Sequence, residues 1–134
     1  MLHVARAQPL IRPPHQATYS MAAIRSGTRF NACERQDIMI RHVLVFKHNA
    51  EVTEDERNRW MDSVRRLANE VPTVRNLTIG SDMQHLPRSY DVALVVDFES
   101  REDLLTYERH PAHVAVATVS RRLADHIASV DFEW

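Results

Sequence analysis

Two stretches of the chain, MIRHVLVFKH (Met39 to His48) and YDVALVVDFES (Tyr90 to Ser100), read as β-strands that are apolar on both faces. Successive strand side chains point to opposite sides. In the first stretch His42, Leu44 and Phe46 share one face, and Arg41, Val43, Val45 and Lys47 share the other. In the second, Val92, Leu94, Val96 and Phe98 face one way, and Ala93 and Val95 the other. Strands of this kind need cover on both sides. The rest of the chain must supply that cover or recruit it.

The residues between and after these strands supply it on one side. VTEDERNRWMDSVRRLANEV (Val52 to Val71) reads as a helix. Thr53 and Glu56 form a T-x-x-E capping box, in which each side chain satisfies the other's free backbone N–H. Glu54, Asp55 and Glu56 occupy the first turn, where the helix dipole favours acids. Trp60, Val64, Leu67, Ala68 and Val71 recur at helical spacing and mark the buried face. Pro72 ends the helix by biasing Val71 toward extended geometry.

TVRNLTIGSD (Thr73 to Asp82) reads as the second strand, with Val74 in its first part and Leu77 and Ile79 on one face. SDMQHLPRS is a polar connection to the third strand. Ser100 caps a short helix, REDLLTYERH, with Glu102 and Asp103 in its first turn and Arg109 in its last. Pro111 lacks an N–H and has a fixed φ, which suits the first position of a new helix. It also pushes His110 out of helical geometry. The chain is therefore expected to break at His110 and restart as PAHVAVATVSRRLADH (Pro111 to His126). IASVDFEW (Ile127 to Trp134) is the last strand, with Ala128, Val130, Phe132 and Trp134 on one face and Ser129, Asp131 and Glu133 on the other.

The order β-α-β-β-α-β is the split βαβ, or ferredoxin-like, arrangement, an α+β fold in which helices cover one side of an antiparallel sheet. Its second sheet face stays uncovered although the first and third strands are apolar there. A second copy of the chain, packed sheet to sheet in a homodimer, solves this.

Residues 39–134 carry the pattern. Residues 1–38 contain five Arg against two acids, Glu34 and Asp37, a balance of +3, and show no sustained period. They read as a disordered leader or a start codon assigned too early, with an organelle targeting peptide as the weaker alternative. Residues 39–134 balance 12 basic against 16 acidic side chains. The net charge of −1 and the lack of a basic patch interleaved with aromatics argue against nucleic acid as a partner. No apolar run approaches the roughly 20 residues that span a bilayer. The lone cysteine, Cys33, gives no case for an oxidising compartment, so a cytoplasmic location is expected. The only glycines are Gly27 and Gly80, which leaves no phosphate-binding loop, and no cofactor is expected.

YERHPAHVAV (Tyr107 to Val116) concentrates chemistry in few residues. Tyr107 and His113, six apart, would lie on different faces of an unbroken helix. The break at Pro111 lets them converge. A histidine titrates near neutral pH and suits a general base. A tyrosine, with an ordinary pKa of about 10, stays protonated and can hydrogen-bond a developing oxyanion. A structural role at the helix joint explains the same residues, and explains His110 best. A zinc site on His110-x-x-His113 lacks the three or four protein ligands such sites use, so no metal is expected. His42, Leu44, Phe46, Val92 and Leu94, on the helix-facing side of the sheet, are the candidate ligand-binding residues.

MIRHVLVFKH, the T-E-x-E helix start, EVPTVRNLTIG, YDVALVVDFES, YERHPAHVAV and the closing VDFEW together resemble the stress-responsive α/β-barrel (Dabb) family, from about Met39 to Trp134. The resemblance implies a dimeric α/β barrel. Most members have no assigned reaction. One plant member closes a linear poly-β-ketone thioester by an aldol reaction, and its catalytic tyrosine and histidine resemble Tyr107 and His113. A pocket histidine on its first strand resembles His42. Two of its other pocket residues, a histidine and a tyrosine, are Val92 and Val64 here. The resemblance thus implies a small apolar or polyketide-like ligand. A non-catalytic ligand-binding protein and a cofactor-free cyclase are both consistent with it. A monooxygenase of the related dimeric-barrel families finds no supporting feature in the sequence.

Overall fold

A computed structural model describes residues 38–134. The reading of the leader therefore falls, up to residue 37, outside the described residues. The elements are β1 (Ile40–His48), α1 (Glu54–Glu70), β2 (Asn76–Ser81), β3 (Val92–Phe98), α2 (Arg101–Arg109), α3 (Pro111–Leu123) and β4 (Ala124–Glu133). The sheet order is β2-β3-β1-β4, and each neighbouring pair is antiparallel. This is the ferredoxin-like α+β arrangement, with the two two-faced strands at its centre.

The local signals act as expected. Thr53 Oγ1 accepts from the Glu56 N–H at 3.2 Å, and a Glu56 carboxylate oxygen accepts from the Thr53 N–H at 3.1 Å. These bonds hold the Glu56 carboxyl below its ordinary pKa. Ser100 caps α2 by accepting from the Asp103 N–H at 3.1 Å. Trp60, Val64 and Leu67 of α1 are buried against the sheet, with Val92, Leu94, Val96 and Phe98 beneath the helices. The Trp60 indole N–H donates to Ser120 Oγ at 2.9 Å, and Ser120 Oγ donates to the Val116 carbonyl at 2.9 Å. That relay ties α1 to α3 without leaving a buried donor unpaired.

Three boundaries differ from expectation. Val74 lies outside β2, because its N–H donates to the Val71 carbonyl in a turn after Pro72. The third strand is regular only from Val92, since Tyr90 and Asp91 still belong to the connection. The last strand starts at Ala124 and α3 stops at Leu123, three residues earlier than the helical pattern suggests. Backbone pairing decides this: His48 pairs with Ala124 and Lys47 with His126 across a bulge, and the Asn49 N–H donates to the Leu123 carbonyl at 2.9 Å. Continuing the helix would leave the end of β1 without partners.

The far sheet face is apolar, and no helix among the described residues covers it. Val43 stands between Val95 and Val130, and Val45 between Ala93 and Ala128. Val130 is 62% exposed, Phe132 43% and Trp134 56%. At one end of this face the Arg41 guanidinium binds Asp97 through two contacts of 2.8 and 3.0 Å and lies 4.0 Å from the Trp134 ring centre. The pair holds the Asp97 carboxyl below its usual range. Large exposed apolar side chains clustered on one sheet face mark an interaction surface. Introducing Val130→Asp with Phe132→Asp is expected to leave the secondary structure intact and yield a monomer. Circular dichroism and light scattering at micromolar concentration check both halves of this; an unchanged dimer would show that this face is not where copies meet.

Candidate functional site

The opposite sheet face and the helices do not close completely. A cavity of about 220 Å³ remains between them. The sheet contributes His42, Leu44, Phe46, Leu94 and Ile127. α1 contributes Val64 and Leu67, and α2 contributes Tyr107 and Glu108. One side of α3 supplies the rest: His113, Val116, Ala117, Ser120 and Arg121. Apolar walls with a few convergent polar tips are the usual build of a small-molecule site.

The joint between α2 and α3 makes the polar end. His110 is at once the last cap of α2 and the first cap of α3, with extended φ and ψ of −64° and 133°. Its N–H donates to the Tyr107 carbonyl at 3.1 Å, and its Nδ1 accepts from the Ala112 N–H at 3.2 Å. Pro111 follows as the first helical residue. The turn brings the Tyr107 and His113 rings to 4.3 Å between centres, inclined at 43°. His42 approaches Tyr107 edge-on at 6.3 Å, and Phe98 packs on Tyr107 at 5.0 Å.

Hydrogen bonds fix which nitrogen does what. His113 Nδ1 lies 3.1 Å from the Glu108 carbonyl oxygen. A carbonyl only accepts, so Nδ1 carries the proton and the neutral ring keeps its lone pair on Nε2. Burial lowers the His113 pKa below 6.5, the bond to Glu108 opposes this, and the charges of His42 and Arg121 lower it further. The ring is thus a neutral base at neutral pH. Tyr107 is 1% exposed, and burial, reinforced by the Glu108 carboxylate, pushes its phenol well above the ordinary value of 10. Among the described residues its hydroxyl has no hydrogen-bond partner. His42 Nδ1 bonds the carboxylate of Asp131, its cross-strand neighbour on β4. A carboxylate accepts, which again places the proton on Nδ1.

Most of the residues singled out in the sequence meet here. Tyr107, His113, His42, Leu44, Phe46 and Leu94 all line the cavity. Val92 does not. It is 1% exposed in the core opposite Phe46 on the ladder and borders a different depression, with Gly80 and Tyr90. Strand alternation fixes its face but not where along the strand the helices part. His110 and His113 do not act as a pair, because His110 Nδ1 is spent on the Ala112 N–H. Among the described residues no three His, Cys, Asp or Glu side chains converge to hold a metal. Sequence reasoning missed Asp131, the Glu108 carbonyl and Arg121. For Asp131 the alternation of β4 shows the face, but only the register with β1 sets it beside His42.

The sequence profile of the Stress responsive A/B Barrel Domain matches residues 40–134. The chain belongs to the stress-responsive A/B barrel family. It is 27% identical over 95 residues to olivetolic acid cyclase of Cannabis sativa, covering 69% of this chain and 94% of that protein. It is 25% identical over 96 residues to the stress-response A/B barrel protein HS1 of Arabidopsis thaliana, covering 70% and 88%. Among solved structures, a dimeric ferredoxin-like protein of unknown function from Thermobifida fusca superposes with a TM-score of 0.68 at 26% identity, covering 74% of this chain and 93% of that one. A hydroxynitrile lyase from Passiflora edulis, at 15% identity with a TM-score of 0.68 over 73% of this chain and 94% of its own, shares the fold. The dimeric neighbour supports a homodimer here. No helix among the described residues is long and apolar enough to cross a membrane.

His113, and His48 at the end of β1, both have pKa values lowered first by burial. Both His48 ring nitrogens are buried without a hydrogen-bond partner. The unfolded chain takes up protons near pH 6.5 while the folded one resists, so stability is lost as pH falls below about 6.5 and is flat above it. Urea unfolding at several pH values should follow that sign, with His48→Gln flattening part of the slope. NMR titration should place His113 below 6.5; a value at or above 6.5 would contradict its burial.

Proposed function

We propose that this family member binds a small carbonyl compound in the cavity and moves a proton on it without a cofactor, in the manner of an aldol-type cyclase. The single observation that carries this reading is the Tyr107–His113 pair: a neutral imidazole with its lone pair confined to Nε2, packed at an incline against a buried phenol whose hydroxyl has no partner among the described residues. His113 Nε2 takes the proton from the carbon next to a carbonyl. The C–H electrons form the enolate, and the charge collects on the carbonyl oxygen. The Tyr107 hydroxyl donates a hydrogen bond to that oxygen. The enolate carbon then attacks a second carbonyl of the same molecule, forming a C–C bond, and the new alkoxide takes back the proton from the His113 imidazolium. Asp131 holds His42 in one orientation at the edge of Tyr107 and so shapes the polar end.

The similarity to olivetolic acid cyclase supports this reading. The apolar walls of the cavity, Val64 and Leu67 among them, suit the hydrocarbon part of a substrate. A diketone of about nine heavy atoms that can close on itself, such as 2,6-heptanedione, is the first substrate to test, with products followed by chromatography and mass spectrometry. His113→Ala is expected to cost about 10²–10⁴ in rate, the usual range for a general base. Tyr107→Phe is expected to cost about 10²–10³, as for loss of one oxyanion donor. The rate should fall on the acid side with an apparent pKa below 6.5 and stay level through pH 9. Equal product from wild type and both variants would reduce the pair to a structural joint and leave binding alone.

A further inference from the structure

The cavity is polar at both ends, and the two ends differ in charge. His113 opens α3 and Arg121 lies in its last turn, both on the cavity side. Eight residues of helix set their backbones about 12 Å apart along the axis at 1.5 Å per residue, and the Arg121 side chain still reaches near enough for its charge to act on His113. Val116 and Ala117 form the apolar wall between. The Glu108 carboxylate stands at the His113 end and acts on Tyr107 and His113 there. Arg121 stands at the other end, exposed, and among the described residues no carboxylate lies within 4.0 Å of it. An unpaired guanidinium on the rim of an apolar cavity is built to receive a carboxylate bidentately. Glu108 repels the same group from the acid/base end, so the two charges orient a ligand in one direction. Volume limits its size. A dry cavity of about 150 Å³ holds benzene, with six heavy atoms, so about 220 Å³ holds about nine.

We propose that the cavity selects short keto acids of about nine heavy atoms, with the terminal carboxylate on Arg121 and the ketone at Tyr107 and His113. The placement of the ketone rests on the acid/base reading of the pair; the carboxylate site on Arg121 does not. Arg121 is then a specificity-determining residue. It holds the end of the ligand that does not react, and its guanidinium also helps keep His113 neutral.

The probe is 5-oxohexanoate, with 2-hexanone as its uncharged counterpart. Binding is measured by calorimetry at low salt, and exchange of the hydrogens beside the ketone in heavy water is followed by proton NMR. The variants are Arg121→Gln and, as a neighbouring control outside the cavity, Arg122→Gln. Wild type and Arg122→Gln are expected to bind the acid alike and the ketone weakly. Arg121→Gln is expected to bind the acid about tenfold more weakly, or about 1.4 kcal/mol, with no change for the ketone. Equal affinity of wild type and Arg121→Gln for the acid would overturn the proposal, as would equal affinity of wild type for acid and ketone, or no saturable binding of either probe. The exchange readout separates the two readings. Arg121-dependent binding without exchange would sink the acid/base function and leave the carboxylate site standing. Exchange of both probes that ignores Arg121 would do the reverse.

Discussion

Strand β1 is the member on which the other elements depend. It pairs with β3 on one side and β4 on the other, so its alternation is imposed on most of the sheet. His42, Leu44 and Phe46 look toward the helices and form the floor of the cavity. Arg41, Val43 and Val45 look the other way, into the exposed apolar face. A one-residue slip of β1 would exchange the two sets and destroy both the cavity and the dimer surface. The bidentate Arg41–Asp97 pair, with Trp134 over the guanidinium, pins the ladder at one end. The His42–Asp131 bond ties β1 to β4 on the opposite face.

The second constraint is the break at His110 and Pro111. It ends one helix and starts another with the His110, Ala112 and Val114 N–H groups and the Glu108 carbonyl paired locally. Its consequence is chemical. Tyr107 on the last turn of α2 and His113 on the first turn of α3 are folded against each other, and the Glu108 carbonyl freed at the end of α2 becomes the acceptor that fixes the His113 tautomer. One device thus positions the phenol and the imidazole and fixes the imidazole proton on Nδ1, toward the Glu108 carbonyl. The sheet beneath adds His42 through its own carboxylate partner. The whole polar end is assembled from three segments distant in sequence, which suits a fold whose helices and strands all pass close to one another.

Much of this was readable without coordinates. The capping residues Thr53, Glu56, Ser100 and His110 were legible because caps are local: their partners lie two or three residues away. The face assignments of β1 and β3 were legible because strand alternation has a period of two and needs no knowledge of neighbours. The extent of α3 was not, because Ala124 to His126 are compatible with a helix and yield to the unpaired edge of β1 only once β1 is there. Val92 has the face that alternation gives it and borders a different depression for a related reason: how far the helices part along a strand is a property of packing.

The sequence by itself determined the element order, the two-faced central strands, the break at Pro111 and hence the α+β ferredoxin-like family fold with its need for a second copy. These follow from periodicity, capping and the missing N–H of proline, all short-range effects. Only the tertiary structure decided that Asp131 stands behind His42, that the Glu108 carbonyl accepts a hydrogen bond from His113 Nδ1, that burial holds Tyr107 protonated, and that Arg121 is left unpaired on the cavity rim among the described residues. Those facts depend on register and on desolvation, and both are set by contacts between residues that the sequence keeps far apart.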